Sequence, residues 1–248
     1  MRIALISDIH GNLVSLEAVL ADIVREQVDQ IVCLGDVATL GPQPGETLAR
    51  LQTLDCLCVM GNHDLELLNL ASAQASIDGS PLVAEWIEWC ASQLSRADFE
   101  YLRSFQPLIE ISLDPTTTLL CFHGSPRSNM DFILATTPIP KLDKMLAGHT
   151  ATVMAGGHTH IQMLRRYEDI TIINAGSVGM PLEQMPFKDI PRYMPWSEYA
   201  IVNWVDGNPT IEFRRVSIDL DQVKQAALDS EMPHAAFWVE QWILPIEG

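Results

Sequence analysis

The sequence predicts an α/β fold whose parallel strands deliver functional groups to one edge of a sheet. Three observations lead there. Short apolar runs at Arg2–Ser7, Gln30–Leu34 and Cys56–Met60 have the length and composition of strands. Helical patterns alternate with them: Leu13, Leu16, Val19, Leu20, Ile23 and Val24 form one face of a helix, and Pro44 suits the start of a short helix through Leu54. Each run ends in a polar island, and Asp8, Asp36 and Asn62 are separated by 28 and 26 residues. Those intervals suit successive βαβ crossovers, which bring strand C-terminal ends to the edge where open α/β sheets bind ligands.

Residues 65–106 have a different character. Val83, Trp86, Ile87, Cys90 and Leu94 make one apolar helical face, and Ser95 is a suitable N-cap for a second helix through Phe105. This helical insertion suits either a lid over the third island or a layer on the flank of the sheet. Strands are then expected at Leu108–Leu113, Thr118–Phe122 and Thr152–Ala155, with a helix near Pro140–Ala147. Gln162–Tyr167 and Ile170–Ile173 flank a turn, and Asp206-Gly207 between Ala200–Val205 and Thr210–Val216 is a strong hairpin signal. Helices near Leu220–Leu228 and Ala235–Ile243 close the chain. No repeat, low-complexity tract or linker interrupts it, so one domain spanning 1–248 is expected.

The chain is long enough for a substantial core, with 48% hydrophobic residues. Its formal net charge of −17 repels long nucleic acids and anionic membranes. A locally positive centre can still hold a small phosphate. The cysteine count is odd and no signal segment is visible, so a reducing, cytoplasmic setting without disulfides is expected. No apolar run approaches the roughly twenty residues of a membrane span. Self-association is left open.

Five islands carry the chemistry: Asp8-Ile9-His10, Gly35-Asp36, Gly61-Asn62-His63-Asp64, His123-Gly124 and Gly156-Gly157-His158-Thr159-His160. They hold five of the seven histidines, leaving out His149 and His234. All offer oxygen or nitrogen donors to a divalent metal. Paired metals need a bridging carboxylate, terminal donors and an open position. In an extended chain, Asp8 and His10, like His158 and His160, point the same way and reach one site together. Asp36 suits a bridge, Asn62 offers a neutral oxygen, and His123 completes the nitrogen set. Two divalent ions against Asp8 and Asp36 leave a surplus of about two positive charges, which suits a phosphoryl group and lowers the pKa of water toward about 7.

In this order the motifs resemble the calcineurin-like metallophosphoesterase superfamily, and most closely its small prokaryotic phosphodiesterase-like branch. The resemblance extends to Asn174-Ala175-Gly176-Ser177-Val178-Gly179. It implies a four-layer α/β/β/α sandwich of two mixed sheets flanked by helices. It assigns Asp8, His10 and His160 to one metal and Asn62, His123 and His158 to the other, with Asp36 bridging. It also implies that His63, steered by Asp64, serves as general acid or transition-state stabiliser. Next to a metal ligand on what reads as a tight loop, a protonated His63 suits the neutralisation of a leaving alkoxide on its own account.

Every assignment has a structural rival. Asp8 and Asp36 also suit helix caps or turns, Asn62 and Asp64 a turn, His63 a structural hydrogen bond, and His158 and His160 an exposed loop pair. Arg127 can grip a phosphate oxygen with its planar fork or simply be solvated. The serine/threonine phosphatases of the superfamily carry an arginine shortly after Gly-Asp, but here the stretch is Asp36-Val37-Ala38-Thr39-Leu40-Gly41. The function expected is hydrolysis of a phosphodiester or small organic phosphate by metal-activated water at a dinuclear site. Alternatives are a phosphomonoesterase or protein phosphatase, and a non-enzymatic docking platform that would use Trp86, Trp89, Trp238 and Trp242. Manganese is favoured as the metal, with iron, zinc, cobalt and nickel also suited to mixed nitrogen and oxygen ligation.

Overall fold

The computed structural model describes residues 1–70, 81–185 and 190–243. Strands β1 (Arg2–Ile6), β2 (Gln30–Cys33), β3 (Leu57–Cys58), β9 (Trp196–Val205) and β10 (Asn208–Ser217) form one mixed sheet in the order β10-β9-β1-β2-β3. Strands β4 (Ile109–Asp114), β5 (Thr117–Cys121), β6 (Val153–Gly156), β7 (Met163–Tyr167) and β8 (Ile170–Asn174) form a second, in the order β4-β5-β6-β8-β7. Parallel pairing joins β1, β2 and β3 in the first sheet and β5, β6 and β8 in the second. Among the described residues the helices are α1 (Leu13–Glu26), α2 (Pro44–Gln52), α3 (Asn62–Leu68), α4 (Pro81–Ser92), α5 (Arg96–Arg103), α6 (Ile139–Leu146), α7 (Leu220–Asp229) and α8 (Ala235–Glu240).

Strand alternation builds the layers. In β1, Ile3 and Leu5 point toward the second sheet, while Ala4 and Ile6 point toward helices. The inter-sheet core takes Val32 and Leu34 from the first sheet and Leu119, Cys121, Val153, Ala155 and Ile173 from the second. The outer face of the first sheet packs Leu16, Val19 and Leu20 of α1 with Ile87 and Cys90 of α4 and Leu102 of α5. The outer face of the second packs Leu142, Met145 and Leu146 of α6 against Leu120, Met154 and Ile172. The result is a four-layer α/β/β/α sandwich.

Helices α4 and α5 of the insertion therefore lie on the flank of the first sheet, with Ser95 capping α5 through the backbone N–H of Asp98. Residues 71–80 of the insertion lie outside the described residues. Trp86, Trp238 and Trp242 are buried in a cluster with Met180, Tyr193 and Val223. They are core residues and present no docking surface. The expected hairpin forms at Asp206-Gly207, both with positive φ (50° and 81°), between paired Val205 and Asn208; this matches the primed turns of tight hairpins. β9 starts earlier than the apolar pattern implies, because Ser197 and Glu198 are buried polar residues that interrupt that pattern.

One buried polar junction ties α1 to the sheet. Asp22 accepts from the hydroxyl of Tyr199 on β9 (2.8 Å) and from Nε and Nη2 of Arg214 on β10 (3.2 and 3.0 Å). Burial opposes the charge on Asp22, but Tyr199, Arg25 and Arg214 outweigh it and hold the carboxyl below its ordinary value. A depressed carboxylate contributes stability that is present above the ordinary pKa and lost as the pH falls through the folded one. Asp22→Asn should therefore lower the melting temperature at neutral pH by about 2–8 °C, corresponding to roughly 1–2 kcal/mol. The gap to wild type should narrow below pH 3.8. A gap that persists unchanged in acid, measured by calorimetry, would remove the charged pairing as its cause.

A candidate two-cluster metal centre

All five islands sit at the ends of β1, β2, β3, β5 and β6, on one edge of the facing sheets. Backbone hydrogen bonds continue past the strands and lace the loops together. Asp8 N–H donates to Gly35 O (3.0 Å), His10 N–H to Asp36 O (3.0 Å) and Gly157 N–H to His123 O (2.9 Å). The loop after β8 joins the two sheets: Val178 N–H donates to Ser7 O and Gly179 N–H to Asp8 O (2.9 and 3.0 Å).

This lacing forces an unusual backbone. Asp8, His10, Asp36, His158 and His160 all have left-handed φ, between 49° and 67°. The pairs Asp8/His10 and His158/His160 are thus not extended, and i, i+2 alternation does not aim them. Asp8 and His10 do share a cluster, but His158 and His160 part to different ones. The left-handed region costs a non-glycine residue about 1–2 kcal/mol, and such strain persists where the surroundings over-determine it. Two glycines permit the close approach: a Cβ on Gly61 would overlap Asp36 Oδ1, and one on Gly157 would overlap Ser7 Oγ.

Two triads result, Asp8–His10–His160 and Asp36–His123–His158, each offering one donor atom per residue within 4.8 Å. His160 Nε2 lies 3.1 Å from His10 Nε2 and 3.3 Å from Asp8 Oδ1. His123 Nε2 lies 3.2 Å from Asp36 Oδ2 and 3.0 Å from Asn62 Oδ1. Asp36 Oδ2 is also 3.9 Å from His10 Nε2, so this carboxylate stands between the triads. Asp8, His10, Asp36, Asn62 and His123 are buried, while His158 and His160 are partly open.

The orientation of the rings tests whether this set fits metal ions. His160 Nδ1 donates to Met180 O (2.7 Å) and His123 Nδ1 to Leu34 O (2.8 Å). A carbonyl supplies no proton, so the hydrogen sits on Nδ1 and Nε2 turns a lone pair inward. The Asn62 side-chain amide stands against Asp36 Oδ2, His123 Nε2 and His158 Nδ1, all acceptors, where its NH2 donates when no cation is present and its oxygen would face one. Inward-facing lone pairs repel one another unless a cation or protons lie among them. The donor set fits divalent ions.

The titration pattern carries the same strain. Burial opposes ionisation of Asp8, but His160 outweighs it and brings the pKa to about 2. Burial also opposes charge on His123, yet Asp36 pushes its pKa up to about 10. Burial and the neighbouring imidazoles lower His10 and His158 to about 3. A cation on these lone pairs competes with such protons.

His63 and Asp64 are not on a tight loop. They lie in the first turn of α3, with Gly61 as N-cap. Asp64 does not steer His63. Its buried carboxylate accepts from the backbone N–H groups of Asp36 (2.7 Å), Val37 (2.8 Å) and Gly61 (3.0 Å), welding the second island to the third. His63 Nδ1 instead meets Glu66 Oε2 at 2.6 Å, one helical turn on. The sequence held a signal for that contact, the i, i+3 spacing, but it appears only once α3 is recognised as a helix. Arg127 lies outside the triads, held by Asp131 through Nε and Nη2 (both 2.9 Å). Phe132, which no motif marks, packs at a tilt against His158 with centroids 4.4 Å apart and is 38% exposed.

Fold and site together define a phosphoester hydrolase of the metal-using kind, and the chain belongs to the calcineurin-like phosphoesterase superfamily, whose domain matches residues 1–190. It is 33% identical over 246 residues to an uncharacterized protein of Methanocaldococcus jannaschii, covering 93% of each chain. A metallophosphoesterase structure from Sphaerobacter thermophilus superposes over 97% of both chains with a TM-score of 0.74 and 28% identity. The symmetrical bis(5'-nucleosyl)-tetraphosphatase of Pseudomonas syringae pv. syringae is 32% identical over 91 residues, 36% of this chain and 31% of that enzyme.

Asp64→Ala would leave three buried N–H groups without their acceptor, at about 1–3 kcal/mol each. The melting temperature should fall by at least about 6 °C, and Asp64→Asn, which keeps one oxygen, should lose less. An Asp64→Ala protein with wild-type thermal stability would refute this structural role.

Proposed function

We propose that the two triads hold a pair of divalent cations and that the chain, acting as one domain, hydrolyses a phosphodiester or a small organic phosphate. The single observation behind this is the pair of adjacent triads whose lone pairs face inward in a buried pocket. Asp8, His10 and His160 would hold one ion and Asn62, His123 and His158 the other, with Asp36 between them. When bound, such a pair neutralises phosphoryl oxygens and lowers the pKa of water to about 7, so that a nucleophile for phosphorus is available at neutral pH.

The chain's own residues supply the rest. Met180 O and Leu34 O fix the rings of His160 and His123, so neither has to reorient when substrate arrives. The backbone N–H of His63 donates to Asp36 Oδ1 (2.9 Å), and its ring stands with its centroid 5.5 Å from that of His10. Its Nδ1 is occupied by Glu66, so Nε2 is the atom that gives a proton to the leaving oxygen. Phe132 forms an apolar wall beside His158.

A diester is favoured over a monoester. Residues 37–41 hold no arginine, and Arg127 is paired with Asp131, so neither place provides a free guanidinium for a phosphate dianion. The similarity to the dinucleoside tetraphosphatase places dinucleoside polyphosphates in the substrate panel. Manganese is the first ion to test, before iron, zinc, cobalt and nickel. A cytoplasmic setting belongs to the same proposal: Cys33, Cys58, Cys90 and Cys121 are buried free thiols, which a reducing compartment preserves. No described helix is long and apolar enough to cross a membrane.

Elemental analysis of protein purified without chelator should give about two ions per chain. His158→Ala should retain about one, and Asp36→Ala should retain neither firmly. With Mn²⁺ added, bis(p-nitrophenyl) phosphate should turn over faster than p-nitrophenyl phosphate. The opposite order would make the monoester the substrate class. On a diester with a basic leaving group, such as methyl phenyl phosphate, His63→Ala should lower turnover by about 10²–10⁴-fold with metal content unchanged; undiminished turnover there would remove His63 from the chemistry.

A further inference from the structure

We infer that Glu66 is a positioning residue for His63, holding its ring so that Nε2 protonates the leaving oxygen of the phosphoester. This rests on the function proposed above and adds a residue that the island motifs leave out.

The contact itself is strong and local. Glu66 Oε2 lies 2.6 Å from His63 Nδ1, and the two side chains are 14% and 17% exposed, largely shielded from competing water. Both stand on α3 at i, i+3, so the helix fixes their separation. The backbone N–H of His63 is committed to Asp36 Oδ1, which anchors the start of the same turn. Ring and main chain are therefore held from opposite sides, and the carboxylate at Nδ1 decides which nitrogen faces outward.

Comparison with the other site histidines gives the contact its meaning. His123 and His160 direct Nδ1 at the backbone carbonyls of Leu34 and Met180, and His10 directs Nδ1 at the hydroxyl of Thr39 (3.3 Å). His158 is turned the other way: its Nδ1 faces Asn62 within the centre, and its Nε2 has no hydrogen-bond partner among the described residues. Those partners are neutral, as suits rings that offer a lone pair. His63 alone among them has a carboxylate on Nδ1, which fixes the tautomer and the turn of the ring. The acid beside it in sequence, Asp64, is fully used by three backbone donors and cannot serve.

The consequence is a dependence on the leaving group. A basic leaving oxygen needs a proton as its bond to phosphorus breaks, whereas a weakly basic one departs as the anion. The test compares methyl phenyl phosphate with methyl p-nitrophenyl phosphate, phenolate being the more basic leaving group, in the Mn²⁺-loaded full chain. Glu66→Ala should lower kcat for the phenyl ester by about 10–100-fold. It should change the p-nitrophenyl ester by no more than about threefold and leave KM and metal content near wild type. Glu66→Gln, which keeps the shape of α3, should fall between, and Glu66→Asp should not restore full rate because it shortens the reach. In the His63→Ala background, Glu66→Ala should have no further effect on the phenyl ester.

Equal losses on both esters, additive losses in the double variant, or loss of bound metal would each overturn the assignment. If His63→Ala is impaired on the phenyl ester while Glu66→Ala and Glu66→Gln are not, Glu66 alone is refuted and the function proposed for the site stands. If wild type hydrolyses neither ester, or His63→Ala is unimpaired, the failure lies in the site proposal itself.

Discussion

Groups that repel one another are held face to face at the edge of this sandwich, and most of the local structure exists to keep them there. Asp8 and Asp36 bring two buried carboxylates, and the surrounding imidazoles direct lone pairs toward them rather than away. Side chains free to rotate would relieve such crowding. The backbone prevents it, because the loops after β1, β2, β5, β6 and β8 are cross-linked by hydrogen bonds that reach from one sheet to the other. Left-handed φ at five of these positions is the local cost. Two apolar outer layers and an inter-sheet core supply the stability that offsets it.

The partners behind the site sort by charge. Neutral carbonyls sit behind His123 and His160, so those rings are oriented without adding negative charge to the pocket. On the proposed function, a centre that attracts phosphate gains by that choice, since every further carboxylate would cancel positive charge that bound cations would bring. The two acids nearest the third island have separate tasks. Asp64 satisfies backbone donors where α3 meets the second island, and Glu66 meets the ring of His63. Two acids two residues apart on one helix thus serve folding and, on the proposed assignment, proton delivery.

The fold was legible because its signals were periodic. Alternation of apolar runs and helical faces marks β1, α1, β2 and α2, and Asp206-Gly207 marks the β9–β10 hairpin. The second sheet and the facing of the two sheets came from family resemblance rather than spacing, since nothing local in β4–β8 says which sheet a strand joins. The start of β9 was hidden by buried Ser197 and Glu198. Within the site, the island residues meet, but the route differs from strand alternation. Aim is set by left-handed turns, and those depend on hydrogen bonds between residues as far apart as Asp8 and Gly179. The partner of His63 was hidden for a similar reason: Gly-Asn-His-Asp looks like a turn until Gly61 is seen to cap a helix.

These features bear together on substrate. The chain carries a formal charge of −17, and Arg127, in the loop after His123, is bound to Asp131. On the proposed function, the positive charge that meets a phosphate comes chiefly from the cation centre. A phosphodiester, with a single negative charge, asks less of that centre than a monoester dianion does. It asks more of the leaving side, because an alkoxide of a diester departs poorly without a proton. On the proposed function, a site with no arginine at residues 37–41 and with His63 held by Glu66 is matched to that distribution of charge. The acid that distinguishes His63 from the other site imidazoles and the missing arginine are, on this view, two sides of one adaptation.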